Sequence, residues 1–201
     1  PTETMDDIAG IAKLAERVVE AYYQNPNRPK KPPQVTISVS CFIPKPFTPF
    51  QWEKQDSFAE LEKKQAHLKS AITDKRIRYN YHDAKVSHIE AVLARGDRRL
   101  SKALEIAYKN GQMFDGWDEY FRYDLWLDAF RECGIDPNFY TVRGFDEEEL
   151  LCWDHIDVGV TKKFLKLERK RAYDGRITPD CREGCAGCGA NKLLKEVACD
   201  A

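Results

Sequence analysis

Residues 34–52 have the sequence QVTISVSCFIPKPFTPFQW, in which a short alternating segment runs into a loop rich in proline and aromatic residues. Residues 35–40 alternate strictly between β-branched Val or Ile and hydroxylated Thr or Ser, which predicts a β-strand with one apolar and one polar face. The apolar face suits packing beneath a helix. The polar face suits either the lumen of an α/β barrel that admits a ligand, or a wet sheet surface. Both alternatives remain open from the pattern.

Helical patterns flank this strand on both sides. Thr4 and Asp7 form a predicted capping pair, and apolar residues then recur on one helical face. Asp56 or Ser57 is expected to cap the next helix. These patterns predict helices near residues 4–22, 57–73, 84–95, 97–109, 122–132 and 161–174, and strands at 34–41 and 77–81. The predicted fold class is therefore α/β at its start and mainly α in the rest of the chain.

Composition excludes several classes of protein. The chain has 201 residues, and its 32 Lys plus Arg nearly balance 33 Asp plus Glu, unlike the strongly basic balance of a dedicated nucleic-acid binder. No apolar run approaches the roughly 18 to 20 residues that a membrane-spanning helix needs, and no signal-peptide pattern opens the sequence. We therefore expect a cytoplasmic protein without a membrane partner.

Two further segments carry recognisable patterns. The aromatic-rich residues 113–145 are expected to contribute mainly to the core, and the acidic residues among them disfavour contact with phosphate. The last helix is basic, which fits either an anionic partner or, more commonly, a solvated helical face. Its basic residues are Lys162, Lys163, Lys166, Arg169, Lys170 and Arg171.

Cys181, Cys185 and Cys188 are the sharpest local signal, because three thiols are separated by three and then two residues among glycines. Such a turn can supply three thiolates to one zinc ion or one iron-sulfur cluster. A fourth ligand is expected from His155, Cys152, Cys199 or an exogenous molecule. The spacing equals that of the catalytic cluster motif of radical S-adenosylmethionine (SAM) enzymes. In those enzymes most of the barrel follows the motif, so we interpret the equal spacing here as a coincidence.

Several segments, in this order, resemble the cobalamin-binding-domain radical SAM proteins. They are residues 1–4 with the first helix, the strand that runs into PKPFTPFQW at 44–52, and IEAVLARGDRRL at 89–100. FDGW at 114–117, CGIDP at 133–137, WDHIDVGV at 153–160 and the Cys-rich turn continue the likeness, which covers nearly the whole chain.

The resemblance implies that the chain is the C-terminal portion of a longer enzyme and enters a radical-SAM-type (β/α) barrel after the fifth strand. The parent would carry a 4Fe-4S cluster, cleave SAM reductively to a 5′-deoxyadenosyl radical and, as a further expectation, use cobalamin for group transfer. Glu3, Ser40, Phe42 and Lys45 would then lie at the cofactor end of the barrel. Glu3 equally suits a helix-start carboxylate, and Lys45 a solvated loop lysine.

The expected organisation has three parts: residues 1–81 as the last part of a partial barrel, 82–175 as a helical extension, and 176–201 as a Cys-rich metal-binding tail. The upstream part of the same polypeptide is the expected partner, and the chain alone is expected to be inactive. The alternative function is a non-catalytic, zinc-stabilised module that binds RNA or protein. Zinc and an iron-sulfur cluster are both open alternatives for the metal of the tail.

Overall fold

The computed structural model describes residues 2–192 and is mainly helical, with one two-stranded sheet. Its elements, in chain order, are α1 (Met5–Gln24), β1 (Val35–Val39), α2 (Phe58–Ala71), β2 (Ile77–Tyr81), α3 (Ala84–Arg95), α4 (Leu100–Lys109), α5 (Tyr123–Glu132), α6 (Asn138–Thr141), α7 (Lys162–Tyr173) and the 3-10 turn Ala190–Lys192. The α/β and mainly α assignment is confirmed.

The first part of the chain is a β-α-β unit preceded by α1. The two strands are parallel and pair from Val35 with Ile77 to Val39 with Tyr81, which requires a crossover connection that α2 supplies. The predicted capping box at Thr4 and Asp7 begins α1, and the Ser57 side chain caps α2. Helices α1 and α2 pack on the apolar face of the sheet through Ile8, Ala12, Ala15, Val19, Ile37, Leu68 and Ile77.

The opposite face of this sheet is polar and exposed. Thr36 pairs in register with Arg78, and Ser38 pairs with Asn80, and all four residues are exposed. Within residues 2–192, the outer edge of each strand has no neighbouring strand. Parallel sheets are usually covered on both faces, so the polar face and the two edges are the open side of this unit.

Helices α3 to α6 enclose a separate core. Its buried residues are Ile89, Val92, Leu100, Ala103, Ala107, Trp126, Ala129, Phe130 and Tyr140. Helix α4 begins at Leu100, three residues later than the pattern predicts, because Asp97 turns the backbone by accepting hydrogen bonds from the main chain and guanidinium of Arg99. The Leu100 side chain packs against Gly96, where a Cβ would lie 1.9 Å from Leu100 Cδ1.

The connector, residues 40–57 between β1 and α2, joins these regions. Trp52 is 1% exposed and packs with Leu151, Trp153 and Leu165 in a third apolar cluster. Gln55 donates from its backbone to Thr141 O at 2.8 Å and from its side chain to Ser87 O at 3.2 Å. The connector is the loop that its prolines predict, and its buried residues 44, 51–53 and 55 contact the helical core and α7.

The aromatic-rich segment divides into buried and exposed rings. Trp126, Phe130 and Tyr140 are buried as expected, but the expectation was wrong for Phe114, Trp117 and Tyr120, each more than half exposed. The backbone of Phe114 has φ 60°, and its ring packs on those of Trp117 and Tyr120 rather than in the core. In the described range, no helix has the length and apolar character needed to cross a membrane.

Candidate functional site

A small cleft opens at the carboxyl end of β1, between the sheet, α1 and α2. Its volume is about 110 Å³, and three of the four predicted cofactor-binding residues line it: Glu3, Ser40 and Phe42. Its apolar wall includes Ile8, Ile11, Val39, Leu61 and Leu68. Ligands of open α/β sheets bind outside the carboxyl ends of parallel strands, which makes this cleft the candidate site.

A three-residue charge cluster forms the polar wall of the cleft. Lys64 on α2 donates to Asp56 Oδ2 at 2.6 Å and to Glu3 Oε2 at 2.8 Å. Partial burial lowers the pKa of Lys64, but the hydrogen bonds to Asp56 and Glu3 outweigh it and the net pKa is raised. The ammonium is therefore charged at neutral pH and orients two carboxylates of different exposure, with Glu3 half exposed.

The remaining wall combines an amide, a thiol and a phenol. Gln65 Nε2 donates to His82 O at 2.9 Å and approaches Cys41 Sγ at 3.5 Å. Burial, together with the neighbouring Tyr81 and Cys41, raises the pKa of Tyr79, so its phenol stays neutral. The Tyr79 and Tyr81 rings stack at 4.9 Å.

Lys45, the fourth predicted cofactor contact, lies outside the cleft lining. Its Nζ forms an ion pair with Glu90 on α3, and both side chains are 47% exposed. The structure thus gives Lys45 a partner within the chain. The ion pair is a further contact between the connector and the helical region, beside the hydrogen bonds that Gln55 forms with Ser87 and Thr141.

The cysteine tail contains two sulfurs with backbone donors. Gly187 N donates to Cys185 Sγ, and Ala190 N donates to Cys188 Sγ, each at 3.4 Å. Cys181 and Cys185 are exposed, and Cys188 is half-buried. In residues 2–192, no three His, Cys, Asp or Glu side chains are arranged as a metal site. The candidate ligand Cys199 lies outside the described residues.

The other two candidate metal ligands lie in the loop before α7. His155 is exposed, and the structure does not gather it with three cysteines. Cys152 Sγ donates to Gly96 O at 3.1 Å, and burial, with the nearby Asp97 and Asp154 charges, raises the pKa of the Cys152 thiol. Cys152 is therefore a protonated thiol that donates to the turn between α3 and α4.

Sequence reasoning missed Lys64 as a site residue and treated Asp56 only as a candidate helix cap. The two residues are eight apart, and Glu3 is distant in sequence, so their meeting depends on the packing of α1 against α2. Residue spacing gave no signal for this contact, because Asp56 precedes the N-cap Ser57 and lies outside the helical register of α2.

Comparison with known proteins gives one informative match. The chain is 30% identical over 138 residues to an uncharacterized protein of Methanocaldococcus jannaschii. The match covers 69% of this chain and 28% of that protein, so the chain corresponds to a minor part of its length. No protein-family model matches the chain, and no solved structure matches it.

Proposed function

We propose that the chain is the C-terminal part of a radical SAM iron-sulfur enzyme, with the cleft at the carboxyl end of β1 on the cofactor side of a partial (β/α) barrel. The observation that carries this proposal is the position of the cleft: it combines the carboxyl end of a parallel strand with a charged wall. Glu3, Ser40 and Phe42, which the family resemblance assigns to the cofactor side, all line it.

The charges of the cleft suit one end of SAM. Because Lys64 already pairs with Glu3 and Asp56, SAM binding would exchange one of these pairs: the SAM carboxylate would accept from Lys64, and its ammonium group would donate to the released carboxylate. The volume of about 110 Å³ is below the roughly 300–1,000 Å³ of a complete ligand pocket, so these residues would hold a portion of the cofactor. When bound beside a reduced cluster, SAM supplies a 5′-deoxyadenosyl radical. Glu3, Asp56 and Lys64 would orient the amino-acid end of SAM.

The open side of the sheet is consistent with a partial barrel that another portion of the polypeptide would complete. Thr36, Ser38, Arg78 and Asn80 form an exposed polar face, and unpaired strand edges invite pairing with further strands. An upstream portion of the same polypeptide, carrying the catalytic cluster and a cobalamin-binding domain, is the partner that the proposal requires. Cobalamin-linked group transfer remains an expectation drawn from the resemblance.

The test uses the polypeptide encoded by the complete gene, purified without oxygen and reconstituted with iron and sulfide. We expect it to form 5′-deoxyadenosine from SAM when dithionite is added. Lys64→Met is expected to weaken SAM binding about 10- to 100-fold, the effect of losing a charged hydrogen bond worth roughly 1.5–3 kcal/mol. Binding is measured by equilibrium dialysis with labelled SAM.

Glu20→Gln is the matched control for Glu3→Gln, because both carboxylates belong to the α1 segment and Glu20 is exposed outside the cleft lining. We expect Glu3→Gln to weaken SAM binding and Glu20→Gln to leave it unchanged. A wild-type polypeptide that binds an iron-sulfur cluster but neither binds nor cleaves SAM would refute the proposal.

The alternative, a zinc-stabilised module that binds RNA or protein, depends on the basic face of α7. Four of its six basic residues already form ion pairs, with the carboxylates of Asp154, Glu148, Glu53, Glu147 and Glu168. These pairs reduce the positive charge available to an anionic partner. RNA binding by this chain that weakens steeply with salt would favour the alternative over the enzyme.

A further inference from the structure

The cysteine tail has a repeated backbone geometry that the proposed function does not use. In each of two successive turns, the amide two residues after a cysteine donates to its sulfur: Gly187 N to Cys185, and Ala190 N to Cys188. Gly187 permits the first turn because its φ is 72°, a conformation that few other residues adopt. The Cys185–Cys188 segment therefore has both sulfurs oriented toward main-chain donors.

Backbone amides that donate to cysteine sulfur are a common feature of iron-sulfur sites, where such hydrogen bonds surround the metal-bound sulfurs. Thiolates in turn select zinc and iron-sulfur centres over Mg²⁺ or Ca²⁺, which prefer oxygen ligands. The exposed position of Cys185 and half-buried position of Cys188 leave their sulfurs accessible to a metal from solvent.

The tail is docked on the start of α7. Thr161, the N-cap of α7, donates from its backbone to Cys188 O at 2.9 Å. Gly189 has φ 98°, and a Cβ there would lie 2.8 Å from Thr161 Cγ2 and 3.0 Å from Gly159 O. This close contact requires glycine and anchors the second sulfur to the body of the protein.

The geometry points to a thiolate-bound metal centre with Cys185 and Cys188 as two ligands, each of which already accepts a backbone hydrogen bond, and Cys181 as the third. Cys181 lies in a turn closed by the hydrogen bond from Glu183 N to Asp180 O at 2.9 Å, directly before the pair. Metal binding would have to bring the three sulfurs together, because within residues 2–192 they are not arranged as a metal site, and it would release their thiol protons. The centre clamps the tail against α7, and this inference is independent of SAM chemistry.

The experiment measures metal in the wild-type chain and in a Cys185→Ser/Cys188→Ser variant, each purified without oxygen. One portion is equilibrated with zinc and another with iron and sulfide. We expect about one metal centre per chain in the wild type and loss of nearly all of it in the double variant. Cys133→Ser is the matched control, because Cys133 packs against the core of α3 to α6. The Cys133→Ser variant should retain the metal.

A second variant tests the contact of the Cys188 turn with Thr161 without removing a ligand. Gly189→Ala places a methyl group against Thr161 and is expected to lower metal affinity at least tenfold. Gly111→Ala is its control, since Gly111 has a similar φ of 93° but open space around the position of a Cβ. Circular dichroism verifies that each variant keeps its helices.

The outcomes separate the alternatives. Zinc lost in the double variant identifies a structural zinc site, and iron with sulfide and a brown chromophore lost in it identifies a cluster; both support the proposed ligands. Metal retained by the double variant, a wild type that binds neither metal, or a Cys185–Cys188 disulfide in place of a metal would overturn the proposal.

Discussion

The sheet region and the helical region solve the problem of burial differently. Helices α3 to α6 enclose their own core, in which Val92, Ala103 and Ala129 are fully buried. The β-α-β unit with α1 buries only one face of its sheet, and Thr36 and Ser38 on the other face are exposed. One region is closed on itself, while the other presents a surface to which further chain can be added.

This difference indicates where stability and function divide. The helical region has the packing of an independent core, whereas the sheet region combines an open face with the charged cleft at Glu3, Asp56 and Lys64. Ligand sites are commonly formed where a rigid scaffold presents its open end. The connector contacts both the helical core and the cleft, so the helical core helps to position the cleft residues that lie on the connector.

Side-chain size and burial predict unequal costs for truncation at two positions, one in each region. Phe130 is 1% exposed in the helical core, so Phe130→Ala should cost about 3–5 kcal/mol. Val35, half-buried at the start of β1, should cost only about 1–2 kcal/mol on change to Ala, for roughly two buried carbons. Urea unfolding followed by circular dichroism measures both.

Leu104→Ala on α4 is the control, because Leu104 is 45% exposed and should change the free energy of unfolding by less than about 0.5 kcal/mol. Equal losses for Phe130→Ala and Val35→Ala would contradict the difference in burial between these two side chains.

Arg95 forms one of the contacts between the helical region and the connector. Its guanidinium, 2% exposed, donates to Glu53 O of the connector and to Arg143 O, the latter at 3.0 Å. Burial, and then the charge of Arg143, lowers the pKa of Arg95 to about 10, so it stays charged at neutral pH. Arg95→Met should cost roughly 2–3 kcal/mol, because the buried carbonyl of Glu53 and the partly buried carbonyl of Arg143 lose a charged donor.

Hydrogen exchange should show where that loss acts. We expect the amides of Glu53 and Gln55 to exchange faster in Arg95→Met, while those in the middle of α5 change little. Arg99→Met is the control, since the Arg99 side chain is 60% exposed. Uniform acceleration over the whole chain would mean that Arg95 supports general stability and not the connector.

Local sequence signals predicted the helices and strands well, but they predicted the contacts between distant residues poorly. The caps at Thr4 and Ser57 and the alternation of residues 35–40 are short-range features, and the structure contains the helices and the strand that they predict. Gln51, Glu53 and Gln55 were not anticipated as buried residues, because their partners Trp153, Arg169 and Ser87 are distant in the chain. Pairing across such distances is determined by tertiary packing, which residue spacing does not encode.

The site shows the same division. The resemblance indicated Glu3, Ser40 and Phe42, which line one cleft, but not Lys64, whose role as their charged neighbour depends on two packed helices. The ligand set of the tail was indicated by cysteine spacing, yet spacing could not show that Cys188 is anchored to Thr161 or that Cys152 is engaged with Gly96.

A pH effect should arise in the closed region. His88 is 8% exposed, its Nδ1 is 2.9 Å from the Tyr123 hydroxyl, and burial lowers its pKa against a smaller opposing effect of Asp136. As pH falls from about 7 to 5, the unfolded chain takes up a proton on His88 near its ordinary pKa of about 6.5. The folded chain takes it up only at lower pH, so stability falls with acidification.

Urea unfolding at several pH values between 7 and 5 measures this slope. His88→Asn keeps a polar group near Tyr123 but removes the titration, and should flatten the slope. His82→Asn, at an exposed position beyond β2, should leave it unchanged. A slope that persists in His88→Asn would assign the pH dependence to other groups.

The smallest expected effect concerns Lys45 and Glu90, the exposed ion pair between the connector and α3. A double-mutant cycle with Lys45→Ala and Glu90→Ala should give a coupling of about 0.2–1 kcal/mol that decreases with salt, as for other exposed pairs. The same substitutions also test the resemblance-based role of Lys45. If Lys45 contacts an anionic group of the cofactor, Lys45→Ala weakens SAM binding by the gene-encoded polypeptide, whereas Glu90→Ala strengthens it by releasing the lysine. If Lys45 is only a strut, both changes alter stability slightly and leave SAM binding as it is, and the charged wall of the cleft is then formed by Lys64 with its two carboxylates.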